Sequence, residues 1–153
     1  MKPRLNQYTA APDMMNAIGA LENIVVGSGL EPTLIELVKI RASQINKCAF
    51  CLHMHTNAAR AHGETESRIY LLNAWRESPL YSERERAALA WTEAVTLVAD
   101  THVPDCVFDR ASKSFDDAEL VKLTLLVATI NAWNRIAVSF RSIHPSISAV
   151  RAA

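Results

Sequence analysis

Proline and glycine punctuate this chain about once per helix length, and that punctuation limits what it can fold into. Only 4 Gly and 6 Pro occur in 153 residues. Pro12, Pro32 and Pro104 stand where helices would start, and Gly27, Gly29 and Gly63 where they would stop. Proline suits the first helical turn, whose N–H groups are unpaired anyway, and glycine suits the residue just past the last turn. Between these marks, apolar residues recur every three to four positions.

Met14, Met15, Ile18, Leu21, Val25 and Val26 predict a helix from Pro12 to the Gly27-Ser28-Gly29 stop, after a mostly polar arm ending near Ala10. Leu34, Leu37, Val38 and Arg41 share one side of a second helix, with Glu36 and Ile40 on another, and it ends before Asn46. Asn46 is a favourable N-cap for a third helix, expected to reach about His62. Residues 65–72 read as a short fourth helix, followed by an irregular link over 73–80 that contains Trp75 and Pro79. Tyr70 and Trp75 could wall a substrate pocket, although aromatic residues at such positions are more often core.

Ser82 with Glu85 has capping-box spacing and opens a helix carrying Ala88, Leu89, Trp91, Ala94, Val95 and Val98, which Asp100 and Thr101 end. The mixed charges of Ser82-Glu83-Arg84-Glu85-Arg86 read as solvated helix surface. Pro104 starts a short helix holding Cys106, Val107 and Phe108, and Asp116 with Glu119 forms an acidic version of the same cap. Residues 120–140 are apolar on more than one face, as expected of a helix at the centre of a domain or between subunits. Asn131 and Asn134 interrupt that apolar surface and are expected to hydrogen-bond across a subunit contact. Pro145 limits any continuation.

The fold class that follows is all-α. Half the residues are hydrophobic and only 7% aromatic, a composition that favours helices over a turn-rich sheet. The length suits a single domain over 1–153, with its core at about 10–142, able to bury a core without disulfide staples. Basic and acidic residues balance at 16 each, so no net field attracts a polyanion, and nucleic acid is not an expected partner. The basic start of the chain is not followed by an apolar block of signal-peptide length. The strongly apolar run at 123–130 falls far short of the roughly 18 to 20 residues that cross a bilayer. No membrane association is expected. Three cysteines, two of them in one C-x-x-C, fit a reducing compartment, which places the chain in the cytoplasm.

Chemistry concentrates in residues 43–55. If this stretch is helical, as its lack of Gly and Pro allows, Cys51 follows Cys48 by three residues and His55 follows Cys51 by four, bringing all three side chains to one face. Two thiols this close can exchange between dithiol and disulfide where geometry permits the bond, and a nearby imidazole can take up and return the proton. Proximity to the helix start favours Cys48 as the more acidic thiol, whereas four-residue spacing to His55 favours activation of Cys51. His53, two residues past Cys51, points elsewhere.

Glu36, Cys48-Ala49-Phe50-Cys51 twelve residues later and His55 together form the pattern E-x11-C-x-x-C-x-x-x-H. With it, Gly63-Glu64-Thr65-Glu66, Ser82-Glu83-Arg84-Glu85-Arg86-Ala87-Ala88-Leu89 and Thr129-Ile130-Asn131-Ala132-Trp133-Asn134-Arg135, the chain resembles the alkylhydroperoxidase D-like (AhpD-like) proteins of the carboxymuconolactone decarboxylase superfamily. The resemblance implies a helical bundle that assembles into homo-oligomers and an antioxidant dithiol that reduces hydroperoxides without metal, haem or flavin. It implies Cys51 as the peroxidatic thiol, Cys48 as the resolving thiol, and His55 with Glu36 as the proton relay. The reductant it implies is a dithiol partner such as a lipoyl domain or a thioredoxin-like protein. Some peroxidase members carry a histidine between the two cysteines, where this chain has Phe50.

Two other readings compete. A lactone decarboxylase like the superfamily's namesakes would not depend on the C-x-x-C pair. A non-enzymatic zinc or redox-sensing module would draw ligands from Cys48, Cys51, His53, His55 and His62, but four tetrahedral ligands are hard to take from one short helix. Cys106 reads as an ordinary packed thiol.

Overall fold

The structure is a computed structural model and describes residues 2–145. Among the described residues every regular element is helical. In chain order they are α1 (Gln7–Ala10), α2 (Pro12–Val26), α3 (Pro32–Ile45), α4 (Ala49–Ala61), α5 (Glu66–Leu71), α6 (Glu83–Thr96), α7 (Val98–Thr101), α8 (Asp105–Ser112) and α9 (Asp117–Phe140), with one 3-10 turn at Leu72–Ala74.

The start signals act as their chemistry predicts. Pro12 and Pro32 occupy first turns. Both capping boxes are formed: Ser82 and Asp116 accept from the N–H groups of Glu85 and Glu119, whose carboxylates reach back to the cap N–H groups. Gly29 and Gly63 take positive φ of 96° and 89° at the stops, a conformation that costs glycine little. The predicted helix through Val98 is instead broken at Leu97, and residues 98–101 form the separate single turn α7.

Helix α3 is the hub. It packs on α4, α6 and α9, and nine consecutive or near-consecutive residues from Leu34 to Ser43 are buried, including Glu36 and Lys39. A buried ammonium needs an anion nearby, and Glu22 of α2 supplies it. Helix α9 lies across the other side of α3, with Leu123, Leu126, Val127 and Ile130 fully enclosed. It is 24 residues long, and its most apolar 18-residue window, with a mean hydropathy of 1.2, is long and apolar enough to cross a membrane by length and composition, unlike the shorter run at 123–130; 44% of that window is buried within the protein.

Four expectations need correction. Cys106, read as a packed thiol, is exposed on α8. Asn131 and Asn134 do not reach toward another subunit; they bind within the chain, to Thr96 and Val127 and to Ser43 respectively, and both accept from Asn46. The 82–86 stripe is not merely solvated: Arg84 joins Glu31 to Glu119, and the Arg86 guanidinium donates to the carbonyls of Trp75, Arg76 and Ser78, holding the irregular link in place. On α2, the apolar stripe buries only Met15 and Val25, leaving Met14 69% and Ile24 71% exposed.

Candidate functional site

The junction between α3 and α4 fixes the sulfur pair. Asn46 is the C-cap of α3, not the N-cap of α4; Lys47 follows in the left-handed region at φ 56°. The N–H of Lys47 then reaches the carbonyl of Gln44 at 3.2 Å, and the N–H of Cys48 reaches that of Ser43 at 3.0 Å. This pair of bonds is the Schellman ending, with lysine where glycine is usual. Cys48 is thereby the last residue bound to α3 and also the N-cap of α4, its Sγ accepting from the Cys51 N–H at 3.3 Å. A sulfur does here what a serine or threonine oxygen usually does. The C-x-x-C spacing coincides with the spacing between a helix cap and its third residue, so capping itself draws Cys48 toward Cys51.

Both thiols are free and buried, Cys48 at 1% and Cys51 at 4% exposure. They titrate as a pair. Cys48 is lowered to about 7, first by the hydrogen bond from the Cys51 side chain, with further help from the Cys51 and Phe50 N–H groups and the Asn134 amide, all working against burial. Cys51 is pushed well above the usual thiol range, first by its hydrogen bond to Cys48, then by burial and by the adjacent negative charge. The first ionisation therefore places the charge on Cys48, as its position at the helix start favours.

This has a measurable consequence. Thiolate absorbance of the reduced protein should rise with a midpoint near pH 7 rather than near the roughly 8.5 of an unfolded cysteine. Since the folded state favours the charged form of Cys48, the thiolate persists below pH 8.5 and is lost as pH falls through 7. Cys51→Ala removes the largest stabilising contact and should move the midpoint upward.

Along α4, one turn beyond Cys51, His55 meets Glu36 of α3: Nδ1 lies 2.9 Å from Glu36 Oε2. With Nδ1–H donating to the carboxylate, Nε2 is left as the nitrogen that can take a proton. Cys51 and His55 line one cavity of about 230 Å³, whose other walls come from four helices and are largely apolar: Tyr8 of α1, Phe50 and Met54 of α4, and Trp133 and Ile136 of α9, with Glu22 of α2 at the edge. Cys48 instead borders a second cleft of about 440 Å³, with Arg4, Lys47, Ser139 and Arg141. Phe50, between the two cysteines in sequence, borders both spaces.

The four residues singled out in the sequence are thus brought together, Glu36 through His55 and the two cysteines through the cap. Tyr70 and Trp75 border neither thiol space. Tyr70 is exposed and bonded to Glu66, while Trp75 is buried elsewhere with its indole N–H on Glu93. His53 faces Asn57 and stacks on His144, away from the sulfurs. Among the described residues no three His, Cys, Asp or Glu side chains converge as a metal site. Sequence reasoning missed Tyr8 and Glu22, which come from distant helices and carry no local signal, and it met Trp133 only inside the family-like stretch 129–135, without a place at the site. Asn46 was legible as a cap but of the wrong helix, and Asn134 only as a polar residue interrupting an apolar surface.

The carboxymuconolactone decarboxylase family matches residues 12–94 of this chain. The uncharacterized protein YdfG of Bacillus subtilis (strain 168) is 43% identical over 139 residues, covering 91% of this chain and 95% of that protein. A crystal structure of a protein of unknown function from Agrobacterium tumefaciens, named there as a suggested AhpD antioxidant defence protein, superposes with a TM-score of 0.93 at 50% identity. That match covers 95% of this chain and 99% of the other. An uncharacterized peroxidase-related protein from Silicibacter sp. TM1040 shares the fold, with a TM-score of 0.79 at 23% identity over 93% of this chain and 75% of that one. A helical hub that buries Glu36 against His55 beside a capping cysteine pair, and these matches over nearly the whole chain, place the protein in the carboxymuconolactone decarboxylase family, as an AhpD-like member.

Proposed function

We propose that this protein is a dithiol peroxidase in which Cys48 and Cys51 together deliver two electrons to a hydroperoxide and are left as a disulfide. The observation that carries this reading is Cys51 and His55, its ring held by Glu36, on the wall of one largely apolar cavity. Cys51 holds its proton at rest, so it needs a base when substrate arrives, and we assign that role to His55 Nε2, the base that lines the same cavity as Cys51. The Cys51 thiolate attacks the terminal peroxide oxygen and the O–O bond breaks. The departing alkoxide takes the proton from His55 and leaves as alcohol, and Cys51 becomes a sulfenic acid. Cys48, the thiolate of the pair, then attacks the Cys51 sulfur and expels hydroxide, which is protonated to water.

The product disulfide must be reduced by a dithiol partner before the next turnover, which suits a reducing compartment such as the cytoplasm. The uncovered stripe of Met14, Leu21 and Ile24 on α2 is apolar surface that a homo-oligomer would cover.

The test is stoichiometric. One equivalent of cumene hydroperoxide added to the reduced protein should yield one equivalent of alcohol, the loss of two thiols and a Cys48–Cys51 peptide pair lighter by two hydrogens. An unchanged thiol count, or oxidation confined to the exposed Cys106, would sink the reading. Glu36→Gln keeps the shape but withdraws the charge that orients His55. It should slow the peroxide step roughly tenfold to a hundredfold, below the full contribution of a general base, while thiol reduction by dithiothreitol stays unchanged. Stopped-flow measurement of the two half-reactions separates them.

A further inference from the structure

The two sulfurs open onto different spaces, and the chemistry of those spaces differs. Cys51 borders the apolar cavity. Cys48 lies at the floor of the other cleft, whose rim carries three cations, Arg4, Lys47 and Arg141, and no carboxylate. All three are exposed. Among the described residues none of them pairs with an acidic side chain; Arg4 spends one N–H on the Ser139 carbonyl. In a chain with no net charge, three unneutralised cations around one sulfur form a local attractive field.

Resting on the dithiol reading above, we propose that the basic cleft is the entry for the reductant: a small dithiol carrying a carboxylate, which attacks the disulfide at Cys48 from a cleft separate from the peroxide cavity, the two spaces sharing only Phe50, Ala137 and Ser142 as walls. A sulfur 1% exposed and bordering a cleft of about 440 Å³ is reached by a small dithiol group and not by the flat face of a protein. Its first thiolate forms a bond to Cys48 Sγ as the Cys48–Cys51 bond breaks. Cys51 leaves toward the cavity and takes a proton there, with His55 adjacent. The second thiol of the reductant then attacks its own mixed-disulfide sulfur, closes as a cyclic disulfide, and releases Cys48. Two electrons pass from the dithiol to the protein and two thiols are regenerated. Access through the basic cleft directs the first attack to Cys48 although it expels the less acidic Cys51, and in the last step Cys48, the acidic thiol, is the good leaving group.

Dihydrolipoate and dihydrolipoamide are a matched pair, alike in their sulfurs and differing in a carboxylate against a neutral amide. Full-length protein, oxidised to its Cys48–Cys51 disulfide with diamide, is mixed with each, and thiol recovery is followed by rapid quench and alkylation. Dihydrolipoate should react roughly tenfold faster at low salt, within the range expected of electrostatic steering. That advantage should fade in about 0.5 M salt, where charges are screened over a few ångströms. It should also fade in the Lys47→Asn, Arg141→Asn double variant. Both positions have φ of 56°, which asparagine tolerates, so the variant removes charge without straining the turns. Equal rates for the two dithiols, or a preference that survives both the salt and the double variant, overturn the proposal while leaving the peroxidase reading intact. Failure of diamide to form the disulfide overturns both.

Discussion

Cys51→Ser should lose steady-state hydroperoxide reduction by about a thousandfold or more, the scale on which removal of a covalent nucleophile is felt. Cys48→Ser should complete one turnover and stop. Both substitutions should keep the fold. Serine is a better helix cap than cysteine, so Cys48→Ser preserves the start of α4, and Cys51→Ser changes a single buried atom. The arrest points differ because the roles differ. Without Cys51 there is no thiolate in the apolar cavity for His55 to generate, whereas without Cys48 the sulfenic acid on Cys51 has nothing to condense with. In Cys48→Ser that sulfenic acid should accumulate and be captured by dimedone, with the label on the Cys51 peptide. The acidity of Cys48 makes this a sharp test. If thiolate population alone chose the nucleophile, Cys48 would attack first; the label would then appear on Cys48 in the Cys51→Ser protein, and the assignment of roles would reverse.

What the sequence made legible was chemistry written in local spacing. Pro12, Pro32, the Ser82/Glu85 and Asp116/Glu119 boxes, Gly29 and Gly63 act through neighbours one turn away, and each does so in the structure. The site residues are of the same kind: Cys48, Cys51 and His55 lie on one helix, and only Glu36 joins them from another. What lay hidden depends on packing between distant segments. Trp133 and Tyr8 meet beside Cys51 only because α1 and α9 fold back over α4. Arg86 looked like one charge in a solvated stripe, yet it satisfies three carbonyls in a link that has few regular bonds of its own. Asn46 has a residue type that favours both ends of helices, and local preference alone could not show that α3 would claim it.

Asn46→Ala should destabilise the protein by about 2 to 3 kcal/mol, because one side chain closes a polar junction inside the core. Its Nδ2 group donates to the Ala42 carbonyl at 3.0 Å and to the Oδ1 atoms of Asn131 and Asn134, each at 2.9 Å. Asn131 keeps Arg135 as an alternative donor at 2.8 Å. Asn134 is 1% exposed, and among the described residues no second donor to its Oδ1 stands in, so alanine strands an acceptor in the core at a cost of roughly 1 to 3 kcal/mol. The lost α3 cap adds to it. For a chain of this size the loss corresponds to a fall in Tm of roughly 5 to 10 °C, measurable by calorimetry on the reduced protein. The effect should reach the site as well, because the Asn134 amide also supports the Cys48 thiolate. Loosening it should raise the midpoint of the thiolate titration above 7. A fall in Tm of less than about 2 °C with an unmoved midpoint would mean that α3 and α9 are held together by their apolar contacts alone, and that the asparagine cluster has no part in presenting Cys48.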